Sequence, residues 1–241
     1  NLLLNRCSFG KAIVTVAIVF SVRVSVAQNS DRAQTATAQG VALMQSGDFA
    51  GAASKFREAL QFEPQSPGVH YNLALALVRL QNDAEAIQEL KTTLALRPQF
   101  DGALYNLGVL LEQSGRFPDA IEQFQSYREL KPDDPTALLH LVQDCFKAQE
   151  DNQALKLAQE GLARYSDPRV STQFATILLE NGQYEPSIQP LEKARAAAPD
   201  SAPLAIYLAR AYLGARKFAL ATDLLKQGIR RFPSAADLYL C

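Results

Sequence analysis

Tryptophan is absent from this chain of 241 residues, methionine occurs once and histidine twice, as His70 and His140. The cysteines, Cys7, Cys145 and Cys241, are too few and too scattered for a disulfide framework or a zinc cluster. No Asn-x-Ser/Thr sequon occurs, and no glycine-rich loop of the kind that cradles phosphate. Charge of one sign is missing too: 24 basic residues stand against 25 acidic ones, a net of −1. Without a basic stripe to neutralise phosphates, nucleic acid is not an expected partner. Sustained strand-like alternation is also lacking. What remains is an ordinary globular composition, 48% hydrophobic and 20% charged, with ample apolar content for a core. Residues 28–164 lean acidic and residues 165–241 lean basic, a mild asymmetry that reads as solvated surface.

The one long apolar run lies near the start. Arg6 and Lys11 precede Ala12-Ile13-Val14-Thr15-Val16-Ala17-Ile18-Val19-Phe20, and Ser25-Val26-Ala27 follows as a small-x-small cleavage site. A membrane-spanning helix needs roughly 20 apolar residues, and Arg23 cuts this run short. Residues 1–27 are therefore expected to be a signal peptide, with Gln28 the first mature residue and residues 28–32 a short linker. The chain is then exported, periplasmic or secreted from a bacterial cell, with an uncleaved membrane anchor as the alternative. Cys7 precedes the apolar run and so does not read as a lipid-attachment site.

Proline keeps a period. Pro64, Pro98 and Pro132 are 34 residues apart, Pro199 follows Pro132 by 67, and Pro233 follows Pro199 by 34. A fixed period in the thirties is the signature of a stacked repeat array. Ala52, Ala86, Ala120, Ala154, Ser187 and Ala221 march with it. Turn-like clusters recur upstream of these positions: Ser46-Gly47-Asp48, Gln81-Asn82-Asp83, Ser114-Gly115-Arg116, Gln149-Glu150-Asp151 and Asn181-Gly182-Gln183. Between breaks, apolar residues recur at helical spacing, as in Leu73, Leu77 and Leu80 or Leu104, Leu107 and Leu111. Each unit is thus expected to be two helices of about 14 residues, about 21 Å long at 1.5 Å per residue. Gly40, Ala74, Gly108, Ala175 and Ala209 are small where paired helices must approach; Phe56, Leu90, Phe124, Leu191 and Leu225 fill the space between neighbours.

This pattern resembles the tetratricopeptide repeat family. In one unit Leu107-Gly108, Leu111, Gly115, Phe117, Ala120, Phe124 and Pro132 fall at the family's spacing; in another Gly40, Leu43, Gly47, Phe49, Ala52, Phe56, Ala59 and Pro64 do so. The resemblance covers six units, 33–66, 67–100, 101–134, 135–167, 168–201 and 202–235, and implies an all-α, right-handed α-solenoid of stacked helix-turn-helix repeats. Departures fall in the fourth and fifth units. The fourth is one residue short, has Ser166 at its closing proline, and carries off-pattern Val142, Ala158 and Gly161. The fifth carries Pro186 and Pro190 in its second helix; Pro190 is tolerable if that helix starts near Ser187 and otherwise kinks it. These two units are expected to be the least regular. Residues 236–241 read as the start of a seventh repeat, and its unfinished apolar segment caps an array poorly. Either the chain is a fragment of a longer protein or a partner covers this end.

No catalytic constellation stands out, and the expectation is that the chain is not an enzyme and uses no cofactor, no metal and no small-molecule substrate. His70 and His140 read as packed or half-exposed histidines, since no nucleophile shares their faces. Cys145 takes the place of a core leucine. Asp133-Asp134 reads as a turn or N-cap pair.

Surface is what remains. The resemblance implies a concave groove lined by the first helices and able to hold an extended peptide or a partner's helix. The groove-facing positions are Thr37, Val41, Tyr71, Leu75, Arg79, Tyr105, Val109, Glu112, Leu139, Gln143, Phe146, Arg169, Thr172, Ile206 and Arg210. Asn72 and Asn106 resemble two asparagines of the members that grip a terminal carboxylate. The accompanying lysines are missing, because Thr37 and Gly102 stand in their places, so no such clamp is expected. The expected function is a non-catalytic scaffold that binds a partner protein or peptide. The alternative is the interaction portion of a larger exported protein whose activity lies beyond residue 241. Membrane enters only if the N-terminal segment stays uncleaved.

Overall fold

The computed structural model describes residues 28–231. The expected signal segment, the closing Pro233 and the start of a seventh repeat lie outside the described residues. Among those described there are twelve helices and no strand. They fall into two compact units, divided between Leu107 and Gly108.

The first unit holds α1 (28–46), α2 (Phe49–Phe62), α3 (Pro67–Arg79), α4 (Asp83–Leu96) and the first half of α5 (Asp101–Gln113). Residues 28–32 are helical and run straight into α1, so the expected linker is instead the helix's first turn. The second unit holds the end of α5, then α6 (Phe117–Leu130), α7 (Pro135–Lys147), α8 (Asp151–Arg164), α9 (Pro168–Glu180), α10 (Tyr184–Ala197), α11 (Ala202–Gly214) and α12 (Phe218–Arg231). Among the described residues no helix is long and apolar enough to cross a membrane.

The period of the sequence is the period of the helices. From α2 to α8 the second helix of each pair starts at Phe49, Asp83, Phe117 and Asp151, 34 residues apart, and each is 14 residues long. Inside each pair the turn is the same. Gly47, Gln81, Gly115, Gln149, Gly182 and Arg216 all have φ between 58° and 85°. Around Gln81 the backbone shows why: the Asn82 N–H reaches back to the Leu77 carbonyl at 2.9 Å and the Gln81 N–H to Val78 at 3.0 Å. This double return satisfies carbonyls that the helix end leaves open, and it requires one left-handed residue. The next helix starts on a local acceptor or a proline. Asp48 accepts from the Gly51 N–H at 2.8 Å, and Pro67, Pro135 and Pro168 open their helices, where no backbone donor is needed.

The periodic prolines are the second residue after the ends of α2, α4, α6 and α10, in four-residue loops. The fourth unit's missing residue is missing from such a loop. Only Tyr165, Ser166 and Asp167 join α8 to α9, while α7 to α10 keep lengths of 13 and 14 residues. The fourth unit's irregularity thus sits between helices rather than in them. Helix α10 starts at Tyr184, not near Ser187, so Pro190 lies inside it. Having no N–H, Pro190 leaves the Pro186 carbonyl without its helical donor.

The core is built from small–large pairs. A Cβ added to Gly40 would stand 2.6 Å from the Phe56 ring, and one added to Gly108 would stand 2.8 Å from Phe124. Both rings are fully buried. Each glycine is therefore the hole for its phenylalanine, and truncating such a ring to alanine costs about 3–5 kcal/mol. At the equivalent places of the fourth repeat stand Val142 and Ala158, both fully buried. The large residue has moved to the first helix, and the pair is smaller than Gly–Phe.

Candidate functional site

In the first unit, several groove positions are occupied internally. The Tyr71 hydroxyl accepts from Asn106 Nδ2 at 3.0 Å, and its ring lies 4.7 Å from that of Phe100, centroid to centroid. Burial, opposed by the bond from Asn106 and reinforced by the nearby Asp101 charge, leaves the Tyr71 phenol above its ordinary pKa. A Cβ on Gly102 would stand 2.7 Å from the Tyr71 oxygen, so a longer side chain at 102 would displace the tyrosine. Asn106 also donates to the Gly102 carbonyl at 2.8 Å, and Thr37 donates to the Ala33 carbonyl at 2.7 Å. The guanidinium of Arg79 lies over the Phe49 ring at 4.4 Å. Val41 is exposed, while Leu75 and Tyr105 are half-buried.

The second unit brings candidates together. A pocket of about 600 Å³ opens between the last turn of α5 and the helices α7, α9 and α11. Glu112, Leu139, Gln143 and Thr172, all expected in the groove, line it. His140, Ile177 and Tyr207 join them and were not among the expected groove positions. Alternate helices supply these residues because each second helix lies behind its first. Leu139, His140 and Gln143 share a face of α7, three and four residues apart.

Glu112 and His140 form the charged edge. His140 Nδ1 lies 2.8 Å from Glu112 Oε2, and its ring stacks on Phe124 with centroids 4.5 Å apart and planes 9° from parallel. Phe124 is the same ring that Gly108 admits, so the small–large pair sets the height of the histidine. One turn further along α7, Asp144 is fully buried and neither carboxylate oxygen has a hydrogen-bond partner. Burial, with repulsion from Glu112 added and His140 opposing, pushes its carboxyl up to about 7.

The remaining expectations fall elsewhere. Phe146 is buried at 8% exposure and offers no open face, a correction to its place among the groove residues. Arg169 is exposed and pairs with its own N-cap, Asp167, at 3.6 Å. Val109 and Ile206 are half-buried and Arg210 is exposed, and none of the three lines the pocket. Outside the pocket, His70 is held by Glu89 at 2.6 Å and the Pro64 carbonyl at 3.0 Å. Asp134 caps α7 through the Thr136 N–H at 2.9 Å and accepts from Tyr127 at 2.8 Å. Cys145 is fully buried, and desolvation, with Glu150 and Asp144 adding to it, pushes its thiol up to about 11, which keeps it protonated and unreactive. Among the described residues no group of three or more His, Cys, Asp or Glu is placed to hold a metal ion.

The Tetratricopeptide repeat family model matches residues 43–108 and 84–145. A comparison with curated proteins returns no match. Among solved structures, pilF of Pseudomonas aeruginosa is similar at 19% identity, covering 88% of this chain and 97% of its own, with a TM-score of 0.59. A tetratricopeptide repeat protein from Parabacteroides merdae is 18% identical, covering 87% and 83%, with a TM-score of 0.67. YrrB, described as a TPR protein with an unusual peptide-binding site, is 16% identical, covering 78% and 97%, with a TM-score of 0.60. These likenesses share the fold, and the family match places the repeat signature on the helices built from it. The family model thus places tetratricopeptide repeats over residues 43–145, and the helix pairs continue the same fold as far as α12.

Proposed function

We propose that the chain is an exported, non-catalytic scaffold that holds an extended peptide segment of a partner protein in the pocket of its second unit. The observation that carries this reading is the convergence of Glu112, Leu139, Gln143 and Thr172 with His140, Ile177 and Tyr207 around one concavity of about 600 Å³. That volume lies within the roughly 300–1,000 Å³ of sites that enclose a ligand. Leu139, Ile177 and Tyr207 supply apolar and aromatic contact; Gln143 and Thr172 supply hydrogen bonds to a peptide backbone. Glu112 is the sole carboxylate in the lining and favours a ligand group that donates or is cationic. The peptide-binding site named for YrrB is in keeping with this reading. Export is supported by Arg6 and Lys11 before the apolar run and by Ser25-Val26-Ala27 after it.

The test is cross-linked capture from the producing cell with the tagged chain, followed by mass spectrometry, beside the double variant Leu139→Asp with Ile177→Asp. The reading predicts that a discrete prey falls at least tenfold in the variant while helicity is retained. An undiminished prey contradicts it. N-terminal sequencing of the exported chain should begin at Gln28.

A further inference from the structure

A second cavity lies on the other side of α9, between α8 and α10, and holds about 440 Å³. Its wall is apolar: Leu155, Ala158 and Leu162 from α8, Leu178 from α9, and Pro186 and Pro190 from α10. Three departures from the repeat meet at this place. The α8–α9 connection is the short one, and Ser166, which stands where other units carry their closing proline, lies at the cavity's edge. Ala158 stands where the other second helices carry phenylalanine or leucine. Pro190 interrupts the hydrogen-bond ladder of the facing helix. No side chain of the described residues fills the space that results, and it opens to the surface past exposed Ala163, Ser166 and Lys193.

The polar lining consists of Lys193, Ser166, Ser171 and the two amides Gln159 and Gln189. Lys193 is its sole charged lining residue, and this lysine makes no ion pair among the described residues. No aspartate or glutamate lines the space, while Ser166 and Ser171 supply hydroxyls near the α8–α9 connection. An apolar wall edged by one unpaired cation, neutral hydroxyls and amides, and no carboxylate complements a single apolar chain ending in an anion.

We propose that this cavity is a binding site for a free single-chain carboxylate, a fatty acid, whose chain lies against Leu155, Leu162, Leu178 and Pro190 and whose carboxylate pairs with Lys193. The site is separate from the peptide pocket and does not depend on its being used.

Sodium decanoate titrated calorimetrically into the full chain tests this. The expected result is saturable binding of one decanoate per chain. Ala163→Trp fills the space from an exposed edge position and should abolish it; Lys193→Met, at an exposed position, should weaken it about tenfold. Circular dichroism checks that both variants keep their helices. Absence of saturable heat at millimolar decanoate would overturn the proposal, as would undiminished binding by Ala163→Trp. Equal binding of decyltrimethylammonium would overturn the pairing with Lys193. Binding of phosphatidylglycerol vesicles without binding of free decanoate would assign the apolar surface to a membrane and overturn it too.

Discussion

The ring of Phe174 on α9 fills the space that a side chain on residue 161 of α8 would need: a Cβ on Gly161 would stand 2.3 Å from Phe174 Cζ. In the first and third repeats the glycine is on the first helix and the phenylalanine on the second, as Gly40–Phe56 and Gly108–Phe124. Here the polarity is reversed, and the pair joins the fourth repeat to the fifth. Gly161→Ala should therefore destabilise the chain by about 1–3 kcal/mol, the usual range for an overpacked core. Phe174→Leu in the same chain should recover part of that loss. Urea unfolding of the two single variants and the double variant measures the coupling, and strict additivity would mean that the two residues do not share this space.

Asp144 predicts a pH dependence of stability. Its ordinary carboxylate value is 3.8, and the fold pushes it up to about 7. Below about pH 4 both states hold the proton. Between about 4 and 7 the unfolded chain releases it while the folded chain keeps it, so stability falls as pH rises, by at most about 1.4 kcal/mol per unit from this group. Above that window the contribution is flat. Asp144→Asn should remove this slope, as read by urea midpoints across the window. A slope unchanged in the variant would assign it to other groups.

Left-handed turn residues predict a gain. Gln149 ends α7 at φ 63°, where glycine stands in the equivalent turns at Gly47, Gly115 and Gly182. A non-glycine residue in this region costs about 1–2 kcal/mol, offset in part by the entropy glycine loses on folding. Gln149→Gly should raise stability by about 0.5–1 kcal/mol, measured by thermal and urea unfolding. Gly115→Gln should lower it by a similar amount.

The period was legible because the turns recur at one place and the prolines, in every unit but the fourth, at another. Those places are visible in sequence as Gly47, Gly115 and Gly182 and as Pro64, Pro98, Pro132 and Pro199. The missing residue was visible as well, but its location was not. Only backbone hydrogen bonds show that the α8–α9 loop absorbed it while both helices kept their length. Leu139 and Gln143, which the family resemblance places in the groove, lie a four-residue step apart on one helix face and line the pocket. Tyr71 and Arg79 shared that pattern, yet their partners, Asn106 and Phe49, stand 35 and 30 residues away in sequence. No local pattern announces such pairings. For the same reason His140 was readable as a packed ring but not as the partner of Glu112 on another helix.

The central claim is that the pocket of the second unit touches the partner. A photo-reactive phenylalanine analogue placed at Gln143, which lines the pocket, and separately at exposed Thr222 on α12, tests it directly in the producing cell. The account predicts a discrete cross-linked adduct from position 143 that disappears when Leu139→Asp is added, and none from position 222. An adduct at 222 alone, or one at 143 that survives Leu139→Asp, would contradict it.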